Sequence, residues 1–262
     1  MQTSPEEPTS SATVDDIPVI WVDPVDKRQA AHLVLWLPYF TGTKEDMLPQ
    51  LRQLAAAGFV ALSFDPWQHG QRGSESPEQL SARVFGDFRR NMWPILGRTA
   101  LDTLRVIDWA VTHLGVTSSI GVGGISMGGD IAIAAAGLDP RITSVAAMLA
   151  TPDWLRPGMH HPVRTDELLP MGTPDAYGNF FYDRINPLTN LASYDHQPAI
   201  AIECGAEDQH VPPDGAQRFQ TALAERYPDY AGRLQLTRHA GAAHYPVPQM
   251  WDNCVEWFKL AP

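Results

Sequence analysis

Two cysteines in 262 residues, Cys204 and Cys254, leave no material for a disulfide framework. They also lack the paired spacing of a structural zinc site, and Cys204, inside an apolar run, reads as a small buried hydrophobe. Basic residues are scarce too: 19 Lys and Arg stand against 30 Asp and Glu, a formal net charge of −11. That balance excludes the basic patch that nucleic-acid binding requires. No apolar run approaches the ~20 residues of a membrane-crossing helix. Residues 1–16 have neither the basic start nor the apolar centre of a secretory signal. Rich in Ser, Thr, Pro and Glu, they read as a disordered leader. The expected address is the cytoplasm, with neither membrane nor nucleic acid as a partner.

What remains is an ordinary globular composition, 44% hydrophobic and 19% charged. The length suffices for one large α/β domain with a sizeable core. Strand-length apolar runs fall at residues 17–22, 31–37, 59–64, 119–123, 143–149, 199–203 and 233–237. Between them, helical periodicity predicts helices over 44–57, 94–114, 130–136, 215–227 and 249–260. Such alternation predicts a mainly parallel sheet with helices on both faces. Residues 152–198, rich in Pro, Gly, His, Asp and aromatics, break the rhythm. A structureless loop of that length does not suit a compact domain, so the segment reads as a cap inserted above the strand ends. Residues 17–151 and 199–262 then form the core.

The most informative stretch is Gly124-Ile125-Ser126-Met127-Gly128, between an apolar strand and a small-residue helix. G-x-S-x-G in that context is the pattern of a nucleophile elbow, a turn so tight that residues two before and two after the serine must lack bulk. A serine hydroxyl attacks only when a base takes its proton, so a histidine is required. His244, in Gly241-Ala242-Ala243-His244 beyond the last strand, is the leading candidate, with His239 at the strand end its rival. The acid that orients the imidazole is expected in the loop after the strand at 199–203. There Asp208 leads and Glu207 is its neighbouring alternative.

These three motifs in chain order, with Gly129 and Val211-Pro212 beside them, resemble the α/β-hydrolase superfamily, and most nearly its dienelactone-hydrolase and prolyl-oligopeptidase-like esterases. The resemblance implies a mostly parallel sheet flanked by helices and a Ser-acid-His triad that needs no metal or organic cofactor. In place of the family's His-Gly-x-x-Gly stands Pro38-Tyr39-Phe40-Thr41-Gly42. By that correspondence the N–H of Phe40 joins that of Met127 as oxyanion donor. Tyr39 either adds its hydroxyl or packs its ring against the cap. The stretch Asp65 to Gly73 resembles the family's Asp-x-x-Gly-x-Gly loop, which braces the site; His69 and Arg72 are the members within reach of a substrate.

The expected function is therefore hydrolysis of a small carboxylic ester or lactone by Ser126, His244 and Asp208, in a monomer or homodimer. Tyr39, Trp67, Trp154 and Tyr182 are the expected substrate contacts, and His160, His161 and Arg164 candidates for a polar group. The same triad also serves amide, peptide, thioester and carbon–carbon bond hydrolysis. Large peptidases of the type carry an extra domain for which the sequence has no room. A non-catalytic ligand-binding member is the reading from a different class.

Overall fold

Apolar runs of strand length become the buried members of one sheet. The computed structural model describes residues 9–24, 32–117 and 119–260. Eight strands, β1 (Thr9–Val14), β2 (Ile17–Val22), β3 (Leu33–Leu37), β4 (Val60–Phe64), β5 (Ile120–Ile125), β6 (Ile142–Met148), β7 (Ala199–Gly205) and β8 (Leu234–His239), lie in the order β1-β2-β4-β3-β5-β6-β7-β8. Pairing is antiparallel from β1 to β2 and from β2 to β4, and parallel elsewhere. Every residue of β3 and β4 is buried, as a parallel strand covered on both faces demands.

The 1–16 leader needs correcting over its second half. Residues 9–14 are β1, an edge strand that pairs with β2 through the two-residue turn Asp15-Asp16. Asp15 takes the positive φ of 55° that such a turn needs and that Asp tolerates. Polar side chains hid this strand because only one of its residues, Val14, is buried. Residues 1–8 of the leader, and Ala31 of the strand expected at 31–37, lie outside the described residues.

The helices are α1 (Leu48–Ala56), α2 (Pro77–Gly86), α3 (Phe88–His113), α4 (Met127–Ala136), α5 (Ala176–Ile185), α6 (Asp214–Arg226) and α7 (Pro248–Leu260). Leu51 and Leu54 of α1 join Met250 and Phe258 of α7 in the core on one face of the sheet. Ile107 of α3, Ile131 of α4 and Phe219 of α6 fill the other. Two differences from the periodicity stand out. Helix α2 was not expected, although Ser76, Pro77 and Gln79 form a capping box with proline in the first turn. Helix α3 runs through Pro94 instead of starting there, because Phe88, Met92 and Trp93 bury their side chains ahead of it. Among the described residues no helix is long and apolar enough to cross a membrane.

Residues 152–198 hold α5, two short 3-10 turns and an isolated bridge between His160 and Leu168. Helix α5 packs along α3, with Tyr182 stacked on Trp93 at 4.4 Å. The functional consequence of the topology lies at β3 and β5. The chain leaves β3 toward α1 on one face and leaves β5 toward α4 on the other. Their carboxyl ends therefore flank a crevice at a topological switch point, where open α/β sheets bind ligands.

Candidate active site

At that crevice the chain turns from β5 into α4 on a single residue. Ser126 has φ 54° and ψ −116°, a left-handed conformation costly for a residue with a side chain, by about 1–3 kcal/mol. Hydrogen bonds on both sides hold it there: its N–H donates to the Met148 carbonyl at 2.7 Å, and its carbonyl accepts from Asp130 N–H at 3.1 Å. The flanking glycines are required by contact. A Cβ on Gly124 would sit 2.6 Å from the Leu37 carbonyl oxygen, and one on Gly128 would strike the same carbonyl. The elbow thus presses directly on the end of β3. Met127 opens α4, so its N–H is among the first-turn donors that have no partner within the helix.

The Ser126 hydroxyl donates to His244 Nε2 at 3.0 Å, and His244 Nδ1–H donates to Asp208 Oδ2 at 2.7 Å. The carboxylate thereby selects the tautomer whose Nε2 lone pair faces the serine. Asp208 is itself fixed: its Oδ1 accepts from the N–H groups of His210 and Val211, at 2.9 and 2.8 Å, and its side chain is buried. The rivals sit elsewhere. Glu207 is exposed, and His239 Nε2 pairs with the buried Glu203 at 2.5 Å.

Ser126 and His244 open onto a cavity of about 880 Å³, in the range of small-molecule sites. Tyr39, Phe40, Met47, Phe85 and Leu149 supply much of its apolar wall, and His161 and Arg164 reach it from residues 152–198. Three of the four expected substrate contacts do not line it, and each has a physical reason. Trp67 has two guanidinium groups over its ring, Arg98 at 4.1 Å and Arg72 at 5.2 Å from its centre. Trp154 is wholly buried, its carbonyl accepting from Trp93 Nε1 at 3.0 Å. Tyr182 is spent on its stack with Trp93. Only Tyr39 of that set reaches the cavity.

The stretch Pro38 to Gly42 forms a tight turn closed by Gly42 N–H to the Tyr39 carbonyl at 2.9 Å, with Thr41 at φ 69°. The Tyr39 ring folds back over Gly42, and burial followed by the charge of Asp46 raises its hydroxyl pKa. The Phe40 ring packs edge-on against Phe85 and His69. Behind this turn the loop after β4 is a brace. Asp65 holds the backbone N–H and Nζ of Lys44 at 3.0 and 2.9 Å, and Arg72 is buried against Asp102 at 2.8 Å. His69 is buried and donates from Nδ1 to the Trp67 carbonyl.

Two features of the site escaped the sequence. His210 packs edge-on to His244 at 4.9 Å between ring centres, and burial, with the neighbouring His244, pushes its imidazole pKa down to about 4. Asp130, one turn after Ser126, is wholly buried, which pushes its carboxyl up to about 6 against the pull of Arg156. It accepts from Thr151 N–H at 2.6 Å and is ion-paired with Arg156, so the start of α4 is tied to the segment after β6. A charged residue amid Gly-Gly-Asp-Ile-Ala-Ile was the one signal of a buried partner. Among the described residues no group of three His, Cys, Asp or Glu side chains could hold a metal ion.

The sequence pattern of the prolyl oligopeptidase family matches residues 87–247, which take in the elbow, Asp208 and His244. The chain is 25% identical to "Putative esterase YitV" of Bacillus subtilis (strain 168) over 276 residues, covering 94% of this chain and 96% of that protein. The crystal structure of TT1662 from Thermus thermophilus superimposes with a TM-score of 0.75 at 23% identity, over 97% of each chain. A structure described as "Putative Dienelactone Hydrolase", from Klebsiella pneumoniae, gives 0.69 at 15% identity, over 96% of this chain and 98% of that one. The sheet and helices are those of the α/β-hydrolase fold.

Proposed function

The chain belongs to the prolyl oligopeptidase family of α/β-hydrolases, and on that premise we propose that it hydrolyses a small carboxylic ester or lactone through an acyl-enzyme on Ser126. The observation that carries this reading is the continuous relay from Ser126 through His244 to Asp208, opening onto the cavity. As Ser126 Oγ attacks the ester carbonyl, its proton passes to His244 Nε2, and the buried Asp208 carboxylate stabilises the imidazolium. The N–H groups of Met127 and Phe40 are assigned to the developing oxyanion. His244 then returns the proton to the departing alcohol. Water, deprotonated by the same imidazole, releases the acid and restores the serine. These steps need no metal or organic cofactor.

The esterase name of the YitV relative supports ester over amide. Peptide or amide cleavage is the second reading, favoured by the family to which the chain belongs. Both begin with the same acylation, so paired substrates separate them. We expect turnover of p-nitrophenyl acetate to exceed that of the matching p-nitroanilide, and Ser126→Ala to lower ester turnover by about 10⁴-fold or more. Ester turnover that survives in Ser126→Ala overturns the assignment, and a preferred anilide transfers it to the second reading.

A further inference from the structure

The His244 imidazole hangs from its Cβ and is hydrogen-bonded at both nitrogens, Nδ1 to Asp208 and Nε2 to Ser126. Rotation about its Cα–Cβ and Cβ–Cγ bonds is opposed by those two hydrogen bonds and by the group packed against the ring. Such rotation swings the Nε2 lone pair off the serine hydroxyl, so the packing contact bears on the alignment of the relay. Among the described residues the ring packed against His244 is His210, at 4.9 Å and an interplanar angle of 72°.

His210 is built to stay in place. Its backbone N–H donates to Asp208 Oδ1 at 2.9 Å, on the same carboxylate that holds His244. Its side-chain Nδ1–H donates to the His160 carbonyl at 2.8 Å, and His160 N–H donates back to the Gln209 carbonyl at 2.8 Å. Phe85 of α2 meets the ring edge-on at 5.8 Å. The ring is thus gripped by the acid loop, by residues 152–198 and by α2. We propose that His210 is a positioning residue that fixes the plane of the His244 imidazole and couples it, through the His160 carbonyl, to the segment between β6 and β7. The proposal rests on reading Ser126, His244 and Asp208 as the catalytic set. Burial keeps His210 uncharged at neutral pH, so no like charge opposes the imidazolium when His244 takes the proton.

Three substitutions divide the role into parts. His210→Phe keeps a ring against His244 and loses the bond to His160; His210→Asn keeps a donor for that carbonyl and loses the ring; His210→Ala loses both. The low-field proton resonance of His244 Nδ1–H against Asp208 reads the position of the imidazole without reference to any substrate. We expect it sharp in the native protein and His210→Phe, and broadened or absent in His210→Asn and His210→Ala. In ester assays the last two are expected to lose about tenfold to a hundredfold in kcat with KM within about threefold, while His210→Phe, which keeps the ring but loses its anchor on His160, falls by only about threefold. A sharp resonance in all variants overturns the proposal, as does a rise in KM at unchanged kcat, which would make His210 a substrate contact. Should the resonance respond as expected in a protein without ester turnover, the positioning role stands and the proposed function fails. Thermal unfolding of each variant separates these results from loss of fold, and His210→Leu, of similar bulk but with neither ring nor donor, carries the test with the same loss expected if the smaller side chains do not fold.

Discussion

The ends of β7 and β8 carry two histidine–carboxylate pairs in different surroundings. His239 meets Glu203 at 2.5 Å and His244 meets Asp208 at 2.7 Å, both across 36 residues of chain. The same two elements thus supply both pairs, five residues further out for the second. In the inner pair Glu203 is buried at the sheet beneath a largely covered His239, and Asn253 of α7 adds a second donor to it at 2.9 Å. The outer pair stands in the loops, with Ser126 at the second nitrogen of its histidine and the cavity in front. A close histidine and acid are therefore not a site. What matters is the group at the imidazole's other nitrogen and whether a substrate can reach it. The inner pair also serves the outer one, because the His239 carbonyl accepts from Ala206 and Ala242 N–H at the roots of both loops.

The largest expected effect separates the two histidines by activity. His244→Ala removes the proposed base and should lower kcat/KM for a nitrophenyl ester by about 10⁴-fold, with little change in the unfolding midpoint. His239→Ala leaves the relay to Ser126 in place and should keep kcat within about tenfold while the midpoint falls. Steady-state kinetics beside urea unfolding reads both. Equal losses of activity in the two variants would erase the functional distinction between the pairs.

Ser126 was legible in the sequence because an elbow imposes glycine at Gly124 and Gly128, which no other side chain can replace so close to Leu37. Asp208 and His244 were legible as candidates because the fold places acid and base in the loops after consecutive strands. The sheet could be read from its parallel strands, buried on both faces, whereas β1 is polar and needed its partner to be seen. The lining of the cavity was far less legible. Trp67, Trp154 and Tyr182 attracted attention as large aromatics, yet their partners, two arginines and Trp93, come from α3 and the loop after β4. Nothing in local sequence shows which face of an aromatic is already covered. His210 was hidden for the same reason, since its meaning lies in contacts with His244, Phe85 and His160.

A second, smaller effect separates the two acids by stability. Glu203 is wholly buried and accepts from His239 and Asn253, so Glu203→Ala leaves two half-buried donors without their acceptor. The expected cost is about 2–3 kcal/mol in urea unfolding, with activity per folded molecule largely retained. Asp208→Asn conserves shape and can still accept at one oxygen. Its expected cost to stability is about 1 kcal/mol, while its kcat falls steeply because the wrong imidazole tautomer is favoured. If Asp208→Asn proved the less stable variant, the assignment of the inner pair to structure and the outer pair to chemistry would be reversed.

The smallest effect is a pH dependence that belongs to the outer pair's neighbour. His210 has its imidazole pushed down to about 4 from 6.5, so between those values the unfolded chain binds a proton that the folded chain refuses. Stability from this group is therefore complete above pH 6.5 and is lost as the pH falls toward 4. Asp130 acts with the opposite sign: its carboxyl is raised to about 6 from 3.8, so the folded chain takes up its proton first and gains relative stability over that descent. His69 and His196, also lowered by burial, add to the loss on acidification. These three groups remain in His210→Phe, so the difference between variant and native isolates His210. Between pH 7 and pH 4.5 the native protein should lose about 2 kcal/mol more than His210→Phe, after discounting for the partial exposure of the ring. Urea unfolding of both proteins at the two pH values measures it. An equal loss in both would mean that folding leaves the His210 imidazole at its ordinary value, so that it would take up a proton near pH 6.5 and set a like charge beside the imidazolium only on the acid side of that value.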